Sequence, residues 1–349
     1  MSSAFHRLTA AATLCALFAT STAFALPFGI SAKDKAASAK VTRGGPFKGQ
    51  SSYALGAFRV AFITEDSVAA VAKGMLSGGN SAASRMSGEL TGVDHALMQK
   101  ITDQIYADFL KQAAAKGLTL IDSATLAKSS PSYAAMDEQT SFDEGRLGTY
   151  VIPTGQRSVP LAADGSKQLG KGSKGLTDSF RITGQMMAKA PANKEFPKAS
   201  KESGATVLGV TLVVNFANFK GSGTSSWGSS AKTRIISGAT IDGWTKADAL
   251  PATSIMGWDP KTPDAPMAMG EVILEGQVHS EASIGSLDSH SDMKVGDHIA
   301  NGIAALGGGT TYSKKAAVVT ADPVAYEKNV LLVAAEASDI LLSAIAKEK

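Results

Sequence analysis

The chain has 349 residues, a length that can bury one large hydrophobic core or two modest ones. Its 34 basic and 31 acidic residues give a net charge of +3, so no overall basic field points to nucleic acid as a partner. Hydrophobic residues make up 44% of the chain and aromatic residues only 6%. Such a composition packs many small side chains and leaves long connections between elements.

The first 25 residues have the three parts of a secretory signal peptide. Arg7 gives a positive start, residues 8–18 form an apolar run, and Ala23-Phe24-Ala25 supplies the small side chains that a signal peptidase requires. An uncleaved membrane anchor is the alternative, because no charged residue occurs between positions 8 and 32.

Cys15 is the only cysteine of the chain and lies within this signal segment. The mature protein would therefore form neither disulfides nor thiolate metal sites. An exported chain of this kind fits a bacterial periplasm, with an outer-membrane-associated or extracellular location as the alternative. Residues 26–52 lack apolar periodicity and are predicted to be a flexible linker, and residues 53–349 a single folded domain.

A strand, a helix and a second strand are predicted over residues 58–64, 94–116 and 118–122, as in a βαβ unit. Gly117 stands where a left-handed cap would end the helix. One apolar stripe at i, i+4 spacing marks the helix face that is predicted to be buried, namely Leu97, Ile101, Ile105 and Phe109.

Shorter elements are predicted around this unit. Residues 67–76 are predicted to be a short helix that Gly78-Gly79-Asn80 ends. Residues 131–146 are predicted to be a loop, and residues 148–153 an edge strand, since Pro153 would break a central one.

The C-terminal half has the strongest strand signal. A helix over 193–203 leads into strand 205–219, and a long Gly/Ser loop over 221–230 joins it to strand 233–244. A further strand is predicted over 270–279. Asp322 and Pro323 are favoured residues at a helix start, and the apolar arc that follows predicts a helix docked on the core.

Together these elements predict an α/β fold, with a mixed β-sheet packed by amphipathic helices, a long β-hairpin and flexible Gly/Ser-rich loops. Their order, and above all the passage from helix to strand at Gly204-Ala205-Thr206-Val207-Leu208-Gly209-Val210, resembles the envelope-protein superfamily that includes CsgG and the N-terminal domain of TolB. The resemblance implies a role in the cell envelope. CsgG is lipidated on a cysteine after its signal peptide, whereas Leu26 and Pro27 stand there in this chain, so lipid anchoring is not implied.

One cluster of imidazole and carboxylate side chains could bind zinc or a similar divalent ion. Its spacings fit no established ligand motif, and aspartate and serine also favour turns, so a polar loop is the alternative. The candidate metal ligands are His279, His290, Asp292 and His298.

Two other segments approach known catalytic or phosphate-binding patterns. Residues 165–172 have the glycine spacing of a phosphate-binding loop, but Gly172 replaces the hydroxyl residue that would hold magnesium. Ser229 and Lys232 have the serine-x-x-lysine spacing of acylating enzymes, but they lie in a Gly/Ser segment and not at a helix start.

Trp227 lies in the Gly/Ser segment and is the candidate binding residue, because a large ring there has little local core to enter. The alternative is that the ring folds back on its own domain. The sequence thus predicts a non-enzymatic exported protein that contacts an envelope protein or lipid surface, with homo-oligomerisation possible and no cofactor. The alternatives are a metal-dependent hydrolase using His279, His290 and His298, and an oligomeric pore or secretion component.

Overall fold

The computed structural model describes residues 36–72, 81–144, 148–161, 191–225, 229–243, 253–261, 269–293 and 310–349. The fold is α/β, as predicted, with one mixed sheet of ten strands and a second sheet of four. Helices cover both faces of the larger sheet. The predicted signal peptide lies outside the described residues.

The described residues contain fourteen strands and five helices. The strands are β1 (Ser38–Thr42), β2 (Ser52–Phe62), β3 (Glu65–Ala72), β4 (Ser81–Thr91), β5 (Thr119–Ile121), β6 (Asp143–Glu144), β7 (Thr149–Val151), β8 (Thr206–Ser225), β9 (Ser229–Asp242), β10 (Ser254–Trp258), β11 (Met269–Glu275), β12 (Gln277–His279), β13 (Gly285–Ser291) and β14 (Thr310–Ala321). The helices are α1 (His95–Ala115), α2 (Ser123–Ser129), α3 (Pro131–Ala134), α4 (Pro191–Ser203) and α5 (Pro323–Glu348).

Strand β8 is the centre of the ten-stranded sheet. Its first half pairs in parallel with β2 and antiparallel with β10, and its second half pairs antiparallel with β9. Strand β2 leads to β7 and β6 on one side, while β10 leads through β11 to β1 on the other. The start of β2 also pairs in parallel with β5. This pair confirms the predicted strand–helix–strand unit, although the hairpin β3–β4 is inserted between its first strand and its helix.

The hydrophobic core lies on both faces of this sheet. On one face, alternate residues of β2 and β8 pack under α1 and α5, and Phe58 meets Phe109 edge to face at 5.2 Å between ring centroids. On the other face, α2, α3 and α4 cover the sheet, and Phe196 meets Trp258 at 4.7 Å. The stacking of two helical layers on one sheet explains why β2 is almost continuously buried.

Helix α1 has the predicted bounds because local chemistry defines both of its ends. The Asp94 carboxylate accepts a hydrogen bond from the Leu97 backbone amide at 2.8 Å, which satisfies one of the free donors of the first turn. Gly117, at a φ of 72°, adopts the left-handed conformation that ends the helix.

Helix α5 is also capped as predicted, by Asp322, which accepts from the Ala325 amide at 2.8 Å. Its length and composition, with a mean hydropathy of 1.6, would allow a membrane span, but half of that window is buried within the protein. Ion pairs join its surface to α1, from Lys100 to Glu327 at 2.7 Å and from Lys116 to Asp339 at 2.6 Å. The helix is therefore docked on the core.

Two sequence predictions in the N-terminal half are wrong. In the segment 67–76, predicted as a helix, the described residues 67–72 belong to β3 and pair with β4. The predicted linker 26–52 contains β1, which pairs with β11, and the fully buried ring of Phe47. Ordered structure therefore begins well before Tyr53.

Two further corrections concern Gly/Ser-rich and loop segments. The predicted loop 221–230 is largely strand, since β8 continues to Ser225 and β9 begins at Ser229. The predicted loop 131–146 includes α3 and β6. The single strand predicted over 270–279 is divided into β11 and β12 by Gly276, at a φ of 83°.

Two fully buried tyrosines differ in their hydrogen bonds and give the first testable prediction. The Tyr133 hydroxyl donates to the Gly56 carbonyl at 2.9 Å, whereas the Tyr326 hydroxyl has no partner among the described residues. Replacing Tyr326 with phenylalanine should leave the free energy of unfolding unchanged or raise it by about 1 kcal/mol, because an unsatisfied hydroxyl is removed. Tyr133→Phe should lower it by about 1–2 kcal/mol, and urea unfolding of both variants checks the contrast. Equal losses in the two variants would contradict it.

Candidate interaction surface

The smaller sheet and the outer half of the β8–β9 hairpin form a two-layer structure, which we call the β-arm. One layer is the four-stranded sheet in the order β13-β14-β4-β3, with β14 and β4 parallel and the other neighbours antiparallel. The second layer is residues 217–225 of β8 paired with residues 229–237 of β9.

The two layers are packed closely around Gly88 of β4. A Cβ atom at Gly88 would lie 2.8 Å from the Phe219 ring and 2.9 Å from Ile235 Cδ1, so any other residue there would require these side chains to shift. The hydroxyl oxygens of Ser84 and Thr233 are 2.8 Å apart and form a buried hydrogen bond between the layers. Close contact of this kind makes the hairpin and the four-stranded sheet one packed unit.

Strand β4 alternates strictly between the interior of the arm and solvent. Met86 and Leu90 are buried, whereas Arg85, Ser87 and Glu89 are exposed. The outer face of the four-stranded sheet is therefore polar and accessible.

A polar joint connects the arm to the ten-stranded sheet. The side-chain amide of Asn215 donates to Asp66 Oδ2 at 2.7 Å and to Asp242 Oδ2 at 3.0 Å, and it lies at a β-bulge in β8. Asp242 Oδ1 also accepts from Thr240 at 3.0 Å and from Gln277 at 2.9 Å. Burial, helped by the charge of Asp66, raises the pKa of Asp242 to about 6 despite these hydrogen bonds. The joint fixes β3, β8 and β9 where the bulge redirects the hairpin.

Strands β3 and β13 are the two edges of the four-stranded sheet. Within the described residues, neither pairs with a further strand on its outer side. The side chains of β13 are exposed over most of its length, including Leu287, with 41% of its surface accessible. An accessible edge of this kind presents backbone donors and acceptors on which another strand can pair.

The structure does not bring the three described metal-ligand candidates together. His279 lies in β12 of the ten-stranded sheet, whereas His290 lies in β13 of the smaller sheet and Asp292 directly follows that strand. His298 lies outside the described residues. Among the residues that are described, no group of three or more histidine, cysteine, aspartate or glutamate side chains is arranged to hold a metal ion.

Of the other sequence candidates, only the Ser229 and Lys232 pair lies within the described residues. Ser229 and Lys232 both lie in the extended strand β9, which is not the helix start that a serine-x-x-lysine nucleophile needs. Residues 165–172 lie outside the described residues. So does Trp227, one of only three residues that join β8 to β9.

Sequence reasoning missed the β-arm as a unit, although one signal for it was present. The alternation of small or apolar with polar residues over Ala82–Leu90 has the period of a half-buried strand. The parallel pairing of β4 with β14, more than 200 positions later in the chain, has no local signal.

These observations define the molecule as an α/β protein that carries a two-layer β-arm, whose two edge strands pair with no further strand among the described residues. Comparison with protein-family models, with curated proteins and with solved structures gave no match in any of the three searches. The resemblance to the CsgG and TolB superfamily therefore stays a prediction, and the functional argument depends on the geometry of the arm.

Proposed function

We propose that the protein is an exported, non-enzymatic component of the bacterial cell envelope with an interaction or assembly role in the periplasm or at the outer membrane. The β-arm is its contact surface. The observation that carries the proposal is the pair of edge strands, β3 with eight residues and β13 with seven, which pair with no further strand within the described residues. Strands of this length can accept a strand from a partner, and natural proteins usually cover or shorten such edges when they have no use for them.

The partner class follows from the chemistry of the arm. Backbone groups along a strand edge recognise another extended chain, so a protein partner or a second copy of this chain fits the edges. The two edges differ in sequence, so contact between β3 of one copy and β13 of another would be heterologous and could continue from copy to copy.

The outer face of the four-stranded sheet supports a role in water and disfavours a pore. A strand that faces lipid presents a continuous apolar band on that side. Arg85, Glu89 and Lys314 are exposed on the outer face of the arm instead. We therefore prefer interaction or assembly to the pore alternative.

Metal analysis of the purified protein distinguishes the proposed non-enzymatic role from the metal-dependent hydrolase. Our proposal predicts metal content well below one equivalent after purification without chelator. One equivalent of zinc that is lost in a His279→Ala or His290→Ala variant would favour the metal-dependent enzyme instead.

Export is tested by the N-terminal sequence of the protein recovered from the envelope fraction. We expect the chain to begin at Leu26. A protein that retains Met1 in the inner membrane would contradict export through a cleaved signal peptide.

Trp227 tests the contact itself, because in the sequence it falls between the end of β8 and the start of β9. If the ring binds a partner, Trp227→Ala should weaken association by about 2 kcal/mol or more, as aromatic interface residues do, and leave thermal unfolding nearly unchanged. Pull-down and unfolding of the same variant check both parts. A variant that is destabilised and still associates fully would assign the ring to folding instead.

A further inference from the structure

Charge is distributed unevenly along the strands of the β8–β9 hairpin. Residues 203–241 contain no aspartate or glutamate, and their only charged residues are Lys220, Lys232 and Arg234. All three lie in the outer half of the hairpin, beyond the bulge that separates it from the ten-stranded sheet.

The strand register places these three cations on one face. Lys220 lies directly opposite Arg234, and Lys232 lies opposite Ser222, two residues further along each strand. The alternate residues Phe219 and Ile235 point the other way, against Gly88 of β4. The cations therefore occupy the face of the hairpin that is turned away from the four-stranded sheet.

This face is accessible where it is most strongly charged. Lys232 and Arg234 are exposed, and neither forms an ion pair with a described residue. Basic side chains that approach each other across a strand pair repel one another, so the arrangement gains from a bound anion.

The opposite face of the β-arm has a different pattern. Glu89 and Asp288 are exposed there together with Arg85 and Lys314, so this face carries charges of both signs. A uniformly cationic surface is thus specific to the β8–β9 layer and does not reflect the small net charge of the whole chain.

We infer that the face formed by Lys220, Lys232 and Arg234 binds the phosphate groups of an anionic lipid surface, a contact that rests on the proposed envelope role. Alternate residues along a strand are about 7 Å apart, so the cations are spread along the two-stranded ribbon. Cations spaced in this way can contact several headgroups of a lipid surface at once. Binding of a single nucleic acid strand would call for aromatic side chains among the cations, on which bases could stack. Among the described side chains of this face, none is aromatic.

The test is co-sedimentation of the full chain, without its predicted signal peptide, with vesicles of phosphatidylcholine alone or mixed with phosphatidylglycerol. Binding should require phosphatidylglycerol and weaken as salt is raised. The triple variant Lys220→Gln, Lys232→Gln, Arg234→Gln should bind about 100-fold more weakly, since each basic residue near an anionic membrane contributes about 1 kcal/mol.

The matched control removes the same number of charges from the four-stranded sheet, as Arg85→Gln, Lys314→Gln, Lys315→Gln. This control should keep most of the vesicle binding, and circular dichroism should show both triple variants folded. The inference is overturned if both triple variants bind equally, if phosphatidylcholine alone binds as well, or if the protein binds single-stranded DNA but not the vesicles. If the protein is found in the envelope but does not bind the vesicles, the lipid contact is refuted and the proposed function is not. If the protein binds the vesicles but is not exported, the proposed function is refuted and the lipid contact is not.

Discussion

Replacing Phe109 with alanine should lower the free energy of unfolding by about 3–5 kcal/mol, through lost burial and the cavity that remains. The ring is fully buried on α1, where it packs against Phe58 of β2. Helix α1 lies beside α5 and covers the centre of the larger sheet, so a cavity there would be enclosed on all sides. Denaturant unfolding of the variant measures the loss.

The control is Lys111→Ala, two residues further along the same helix. Lys111 is exposed, and its replacement should change the free energy of unfolding by less than about 0.5 kcal/mol. Equal denaturation midpoints for the two variants would show that the assigned face of α1 is wrong.

The second large effect depends on pH and concerns Glu271 of β11. This residue is 6% exposed. Burial raises its pKa to about 7, and the charge of Arg43 offsets only part of this shift. Between pH 4.5 and 7 the folded state therefore binds more protons than the unfolded state, and stability falls as the pH rises through this window.

Glu271→Gln removes this loss. At pH 8 the variant should be more stable than the original protein by up to roughly 3 kcal/mol, at about 1.4 kcal/mol per pKa unit, and near pH 4 the two should agree. Glu89→Gln, at an exposed position of β4, is the control and should follow the original curve. The raised pKa of Asp242 also lowers the free energy of unfolding as the pH rises from about 4 to 6, and the Glu271→Gln variant keeps this decrease. Parallel stability curves for the protein and Glu271→Gln would refute the assignment.

Some elements were predictable because their signals are local. Helix α1 has a cap at Asp94, a left-handed glycine at Gly117 and an apolar stripe between them, all within one segment of sequence. The long apolar run of β8 likewise identified the central strand, because a strand buried on both faces needs no alternation.

The β-arm could not be predicted in the same way, because distant pairing overrides local preference. Strand β3 contains alanines and valines that suit a helix about as well as a strand, and its pairing with β4 decides between them. From local sequence alone, Gly221 is predicted to lie in a loop. In the fold it lets the hairpin approach β3, where an added Cβ would be 3.2 Å from both Val68 Cγ2 and the Ala69 carbonyl.

The candidate site was only partly accessible from sequence. The segment around Trp227 was predicted to be a long loop. The strand register that aligns Lys232 and Arg234 on one face could therefore not be predicted. The histidine cluster was suggested by proximity in sequence, and the fold divides His279 and His290 between two sheets.

The central claim, that the β-arm is the contact surface, is tested most directly by single-cysteine crosslinking in intact cells. Ser67→Cys in β3 and Ser289→Cys in β13 place a thiol on each edge strand, and Ala114→Cys places one on the exposed side of α1. Because Cys15 lies within the predicted signal peptide, each introduced thiol would be unique in the mature chain. We expect a discrete adduct from both edge positions and none from α1. Adducts from α1 alone, or equal labelling from all three positions, would contradict the assignment of the β-arm as the contact surface.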